Sequence, residues 1–282
     1  MTYVLYHGRC PDGIMAAWSA WKSLGSSATY IPCLFEQDDP VLFGDSLTPP
    51  NFTNEEVYIL DFSFSEEKTL EIADQASVVV LLDHHASAQK DLAKLIGTRI
   101  NLDLHFDMTK SGARLAYDYF VGKESCWIVD YTQDRDLWKW ELPYSKEINA
   151  YLLTIPHDFE QISAVFQAGE FDARVRGQGC LAWTRYYVDS IKALARNVRF
   201  LGHDNIPVVN APFPAISEVV GELAVGHEFA VGWHQKDNGQ VVYSLRSKHG
   251  FDVSVLAESV GGGGHKAASG FTLDKFPWEL TG

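Results

Sequence analysis

The chain has 282 residues, of which 46% are apolar and 21% charged. That composition supports sizeable cores, excludes a largely disordered chain and, at about 150 residues per domain, suggests two domains. With 23 basic and 37 acidic side chains the net charge is −14, which excludes gripping a long nucleic acid on a broad basic face.

The first 135 residues alternate strand-like and helix-like segments. Tyr3 to Tyr6 is a short apolar strand followed by a glycine-containing loop and a helical stretch from Gly13 to Leu24. Tyr30 to Cys33 reads as a second strand and Val57 to Leu60 as a buried one. Ser63 with Glu66 has capping-box spacing and predicts a helix toward Ala76. Val78 to Leu82 is the strongest strand signal. Strand and helix alternating at this interval predict a doubly wound, mostly parallel sheet.

Residues 137–176 are aromatic-rich and mostly helical in pattern, and Cys180 to Phe200 reads as a long helix. The domain connection is placed there: a first domain over 1–178, a helical linker over 179–202 and a smaller α/β domain over 203–282. In that last part Phe229 to Trp233 and Gln240 to Leu245 flank Asp237-Asn238-Gly239, a hairpin signal. A short helix from Val253 to Val260 and four glycines follow.

No run of about 18 apolar residues occurs, so no spanning helix and no membrane partner are expected. The start, Met1-Thr2-Tyr3-Val4, lacks the basic-then-apolar order of a secretory leader. Cys10, Cys33, Cys126 and Cys180 are too few and scattered for a disulfide framework or a cysteine-based zinc site. They read as free thiols of a cytoplasmic protein. Cys10, without a paired base or a CxxC partner, reads as a bystander.

Three polar motifs each follow an apolar strand: His7 to Asp12, Leu60-Asp61-Phe62-Ser63, and Asp83-His84-His85. In an open parallel sheet the carboxyl ends of the strands face one crevice, where ligands bind. Alone, Asp61 reads as a turn or capping residue and His7 as a hydrogen-bonded loop histidine. Two imidazoles and a carboxylate directly after a buried strand have little structural reason to be there. Converging carboxylates and imidazoles are costly unless cations neutralise them. Residues 1–150 carry 12 basic and 23 acidic side chains, or −11, against 11 and 14, or −3, beyond. Bound cations would let an anionic substrate approach that half. Nitrogen and oxygen donors suit manganese, iron or zinc more than calcium. Two ions about 3.5–4 Å apart could activate water and clamp a phosphoryl oxygen. A fourth acidic cluster, Asp130 to Asp136, could complete the set, and spacing does not choose among its aspartates.

Gly261 to Gly264 followed by His265-Lys266 is the second strong feature. Such a run brings backbone amides close to a ligand and can cradle phosphate oxygens. Arg246, ending the second hairpin strand, could reach the same anion. Lys110 and Arg114, near a helix start at Ser111, read as solvated.

Together these residues resemble the DHH phosphoesterase superfamily, whose naming motif is Asp83-His84-His85. The stretch from Ser244-Leu245-Arg246-Ser247 through Gly261 to His265 is similar to the DHH-associated domain. The resemblance spans nearly the whole chain and implies two domains with a cleft and a manganese-dependent phosphodiesterase. It points to the nanoRNases, which degrade very short RNAs and linear dinucleotides such as pGpG or pApA. It implies that His7, Asp12 and Asp61 hold one metal, and that Asp61, His84 and Asp134 hold the other, with Asp136 as the rival of Asp134. Asp83 would orient the histidines, His85 would face the phosphate, and Arg246, Gly263, Gly264 and His265 would hold the substrate. The first motif departs at Ile14, where an acidic ligand is usual, which implies a second metal bound more weakly or by a different ligand. Homodimerisation is left open.

Overall fold

A computed structural model describes residues 1–8, 10–34, 42–248 and 250–280, without the side chain of His265. Arg9 of the first motif therefore lies outside the described residues. The chain divides into two units, Met1–Leu181 and Ala182–Gly282.

In the first unit the elements run β1 (Thr2–His7), α1 (Pro11–Leu24), β2 (Ala28–Leu34), β3 (Leu42–Phe43), β4 (Glu56–Leu60) and α2 (Glu66–Gln75). They continue with β5 (Val78–Asp83), α3 (Ala86–Leu92), β6 (Leu102–Phe106), α4 (Gly112–Phe120), α5 (Trp127–Asp136), α6 (Ser145–Leu152) and α7 (Phe159–Ala168). The sheet order is β3-β2-β1-β4-β5-β6. All pairs are parallel except the antiparallel β3 on β2. The expected doubly wound α/β sheet is thus present, with β1 and β4 neighbours at the point where the strand order reverses.

Side chains alternate across this sheet, as the two-residue strand period requires. Val4, Tyr6, Leu60, Val80 and Leu82 join one core with Trp18 of α1 and Ala113 and Ala116 of α4. Leu5, Val57, Ile59, Val79 and Leu81 join the opposite core with Ile72 of α2 and Leu92 of α3. Both faces are covered, which is why these strands read as continuous apolar runs.

The capping expectation shifts by two residues. Ser65, not Ser63, caps α2, accepting from the Lys68 amide at 3.3 Å. Arg114 is buried rather than solvated. Its guanidinium pairs with Asp118 and Asp130 and donates to the carbonyls of Gly122 and Glu124.

Helix α8 (Glu170–Lys192) carries the chain into the second unit. There follow β7 (Arg196–Phe200), β8 (His203–Asn210), α9 (Phe213–Leu223), β9 (Ala230–Gln235), β10 (Val241–Arg246), α10 (Val253–Glu258), β11 (Gly263–His265) and β12 (Ala268–Leu273). Residues 196–200, expected to continue a helical linker, instead form a strand antiparallel to β8. The sheet order is β11-β12-β10-β9-β8-β7. Only β8 and β9 run parallel, joined by α9, whose Ile216, Val219 and Val220 are buried. The Asn238-Gly239 hairpin joins β9 to β10 as its sequence predicts.

Candidate metal centre

Three neighbouring parallel strands end level with one another. Tyr6 pairs with Leu60, and Leu60 with Leu82. The next residues along each strand are therefore His7, Asp61 and Asp83. This places the first three polar motifs at one sheet edge, where α1 and α5 bring Asp12 and Asp136.

The His84 Nε2 atom lies 3.2 Å from Asp61 Oδ1, 3.6 Å from Asp136 Oδ2 and 3.7 Å from Asp12 Oδ2. The His7 Nδ1 atom lies 3.4 Å from Asp61 Oδ2. Three overlapping groups of donors result, each with its ligating atoms within 4.8 Å of one another: His7, Cys10 and Asp61; Asp61, His84 and His85; and Asp12, His84 and Asp136.

The surrounding backbone fixes these side chains. Asp12, buried in the first turn of α1, accepts from the amides of Gly112 at 2.6 Å and Ala113 at 3.1 Å. It therefore also ties down the start of α4, where the helix dipole favours a negative charge. Asp61 has φ 66°, a left-handed conformation rare for a non-glycine residue and common at functional sites. Gly112 makes room for it: a Cβ there would lie 2.4 Å from Asp61 Oδ1.

Asp83 is fully buried and works through its hydrogen bonds. Its Oδ2 accepts from Ser63 Oγ at 2.5 Å, and its Oδ1 lies 2.7 Å from His85 Nδ1 and accepts from the His84 amide at 2.7 Å. The half-exposed His85 ring is thereby oriented, with its pKa raised chiefly by the bond to Asp83.

Electrostatics favour a cation. Burial, then the nearby carboxylates of Asp61 and Asp136, push Asp12 well above the usual carboxylate range. Burial also raises Asp136. Burial opposes the charge on Asp61, yet bonding to His7 and His84 outweighs it and holds Asp61 below its ordinary value. Burial lowers the His84 pKa, but the bond to Asp61 outweighs that and leaves it raised. Both carboxylate oxygens of Asp61 are buried without a hydrogen bond of ordinary geometry. A buried carboxylate held only by loose contacts to two imidazoles is costly, and a divalent ion would remove that cost. The donor set fits a transition-metal ion by chemistry and by this orphaned carboxylate.

The sequence-predicted His7, Asp12, Asp61 and His84 are all brought together. Asp134 is not among them. It is buried, and its carboxylate accepts from the amides of Glu141 at 2.9 Å and Leu142 at 3.4 Å and from Ser145 Oγ. Asp136 stands in the cluster instead. Ile14 is buried in the apolar core beside α4 and offers no ligand. Sequence reasoning missed Ser63, whose role appears only once β4 and β5 are neighbours. Cys10, read from sequence as a bystander, lies beside His7 and Asp61, with its thiol pKa pushed up by burial and by Asp61.

In the second unit Arg246 closes β10, and its guanidinium donates to Ser217 Oγ and to the Leu245 carbonyl, both at 2.9 Å. Gly263 and Gly264 belong to the edge strand β11, opposite Gly270 and Ser269 of β12, rather than to an open loop. Gly264 has φ 137°, and a Cβ on it would lie 2.6 Å from Ser269 Cα, so close strand packing by itself requires glycine there. Ala268 faces Arg246 on one side and the His265 backbone on the other, placing the latter two strands apart, roughly 9–10 Å.

Residues 210–280 match the DHHA1 domain. Over 96% of its length the chain is 28% identical to the uncharacterized protein R106 of Acanthamoeba polyphaga mimivirus, covering 67% of that protein. The pGpG-specific phosphodiesterase PggH from Vibrio cholerae aligns with a TM-score of 0.52 at 12% identity, over 96% of this chain and 92% of that one. A DHH domain described as a member of the s1p family of ribosomal proteins aligns with a TM-score of 0.50 at 14% identity, over 99% and 84%. At such identities the two structures speak for a shared fold.

Proposed function

We infer that this chain, a DHH-family protein with a DHHA1 domain over residues 210–280, is a metal-dependent phosphodiesterase of very short oligoribonucleotides or linear dinucleotides. The observation that carries the reading is the set of overlapping donor groups sharing Asp61 and His84 at the ends of three adjacent parallel strands.

His7 and Asp61 would hold one divalent ion, and Asp12, His84 and Asp136 a second, with Asp61 between them. Manganese is the ion proposed, from the predominance of oxygen and nitrogen donors. Ions held there would polarise a phosphoryl oxygen and acidify the water that attacks phosphorus. The chain's own contribution lies in position and proton. Asp83, fixed by Ser63, favours the protonated form of the half-exposed His85, which could then stabilise a phosphoryl oxygen or give a proton to the leaving ribose oxygen. Arg246, Gly263, Gly264 and His265 are proposed to hold the substrate's terminal phosphate or nucleotide. Arg246 is the best supported of these, because a part-buried guanidinium suits an anion.

Short substrates are favoured on charge. The −11 of residues 1–150 offers no basic track for a strand that continues beyond the cut. The neighbour PggH is described as pGpG-specific, which supports testing linear dinucleotides first. The test is a panel of pGpG, a cyclic dinucleotide, pyrophosphate and a 20-mer RNA incubated with the protein and manganese. Fastest hydrolysis of pGpG is expected. Preference for the 20-mer or for pyrophosphate would overturn the substrate class.

A further inference from the structure

The two donor groups that flank Asp61 are not chemically alike. His84, Asp12 and Asp136 offer only nitrogen and oxygen, whereas the group on the other side contains a sulfur atom. Cys10 Sγ, a ring nitrogen of His7 and a carboxylate oxygen of Asp61 all lie within 4.8 Å of one another. We propose that the Cys10 sulfur is the third protein ligand of the ion held by His7 and Asp61, making that pocket a mixed sulfur, nitrogen and oxygen site. The proposal rests on the metal-centre reading above and specifies one pocket of it.

Three observations support this role. Ile14, two residues beyond Asp12 on α1, is buried in the apolar core and donates nothing. His7 and Asp61 alone would leave that ion short of protein ligands, and Cys10 stands within reach of both. The second is Asp61, buried to 1% exposure with both carboxylate oxygens lacking ordinary hydrogen bonds. Such a group points to a cation between it and its neighbours rather than to a packing role for the thiol. The third is the placement of the cysteines. Cys33 and Cys126 are buried in the two apolar cores, and among the described residues neither they nor Cys180 belongs to a donor group.

Ligation replaces the thiol proton, which leaves to solvent as the sulfur–metal bond forms. A thiolate softens the pocket, so zinc, cobalt or iron(II) should compete there better than in the purely nitrogen and oxygen group. The first pocket would then prefer those ions more strongly than the second does, without excluding manganese.

Cobalt(II) reports on this without any assay of activity, because a cobalt–thiolate bond gives an intense near-ultraviolet charge-transfer band. The chelator-stripped full chain is titrated with cobalt chloride, with bound metal counted by elemental analysis. The band should grow with one equivalent of cobalt in the parent. It should vanish in Cys10→Ser and in Cys10→Asp, which supplies an oxygen ligand and should retain the bound ion. Ser is a favoured residue at the position preceding a helix, so the fold of that variant should hold. A parent that binds cobalt without the band, or a band that survives in both variants, overturns the sulfur ligand and leaves the metal-centre reading standing. A parent that binds no cobalt overturns both.

Discussion

Gly112 stands against Asp61 so closely that a side chain on it would meet the Asp61 carboxylate at 2.4 Å. The same glycine's amide holds Asp12 at 2.6 Å. One residue at the start of α4 therefore positions two of the proposed ligands. Gly112→Ala should displace Asp61 and cost about a hundredfold in turnover, the scale of a displacement near 1 Å at a reacting centre. Titration calorimetry with manganese should show weakened binding alongside. Unchanged affinity and turnover would remove Gly112 from the account.

Asp134 and Asp136 should separate cleanly. Asp136→Asn should reduce metal binding while leaving thermal stability of the metal-free chain nearly unchanged. Asp134→Ala strips charged hydrogen bonds from two amides and Ser145, and should cost roughly 2–3 kcal/mol of stability. Denaturant melts and metal titrations of both variants check this. The reverse pattern would return Asp134 to the ligand set.

This pair also marks where the sequence stopped being legible. The doubly wound sheet and the gathering of His7, Asp61 and Asp83-His84-His85 could be read directly, because each motif follows an apolar run and parallel strands share a carboxyl edge. The choice within the fourth motif could not. Asp134 and Asp136 lie on one helix, roughly 200° apart around its axis, so they face different surroundings. Which face meets the strand ends depends on how α5 packs, and its spacing carries no trace of that. The role of Ser63 was hidden similarly, since it touches Asp83 across neighbouring strands 20 residues apart in sequence. The glycine run was legible as a place of close backbone approach, but β12 as the neighbour it approaches was not.

Ser63→Ala removes the 2.5 Å bond to Asp83 without touching a proposed ligand. His85 should lose orientation and some of its raised pKa, which rests on a well-anchored Asp83. Turnover should fall about 10- to 100-fold, the usual effect of losing a partner that orients a site histidine. Metal stoichiometry should stay constant, and the acidic-to-basic fall in activity should move to lower pH. Loss of metal with an unchanged pH profile would contradict this role.

Metal affinity should rise with pH. Asp12, Asp136 and His84 all have raised pKa values in the metal-free chain, from burial and mutual carboxylate repulsion in the first two and from bonding to Asp61 in the third. Each holds its proton to higher pH than an ordinary group would, and ligation must expel that proton. As pH falls through those raised values, protons compete with the ion and binding weakens. Calorimetry across the neutral and acidic range, in buffers of different ionisation enthalpy, should show proton release on binding. Affinity independent of pH would contradict the electrostatic description of the site.

The central claim is that metal held at Asp61 and His84 drives cleavage of short linear substrates. Its most direct test is a single-turnover assay with chelator-stripped protein and 5′-labelled RNA from dimer to decamer, with and without manganese, on the parent and on His84→Ala. The parent should be inactive without metal and regain hydrolysis with manganese, fastest for the dimer and falling steeply within a few added nucleotides. His84→Ala should stay inactive in both conditions. Hydrolysis by metal-free protein, or equal rates for dimer and decamer with manganese, would contradict the account.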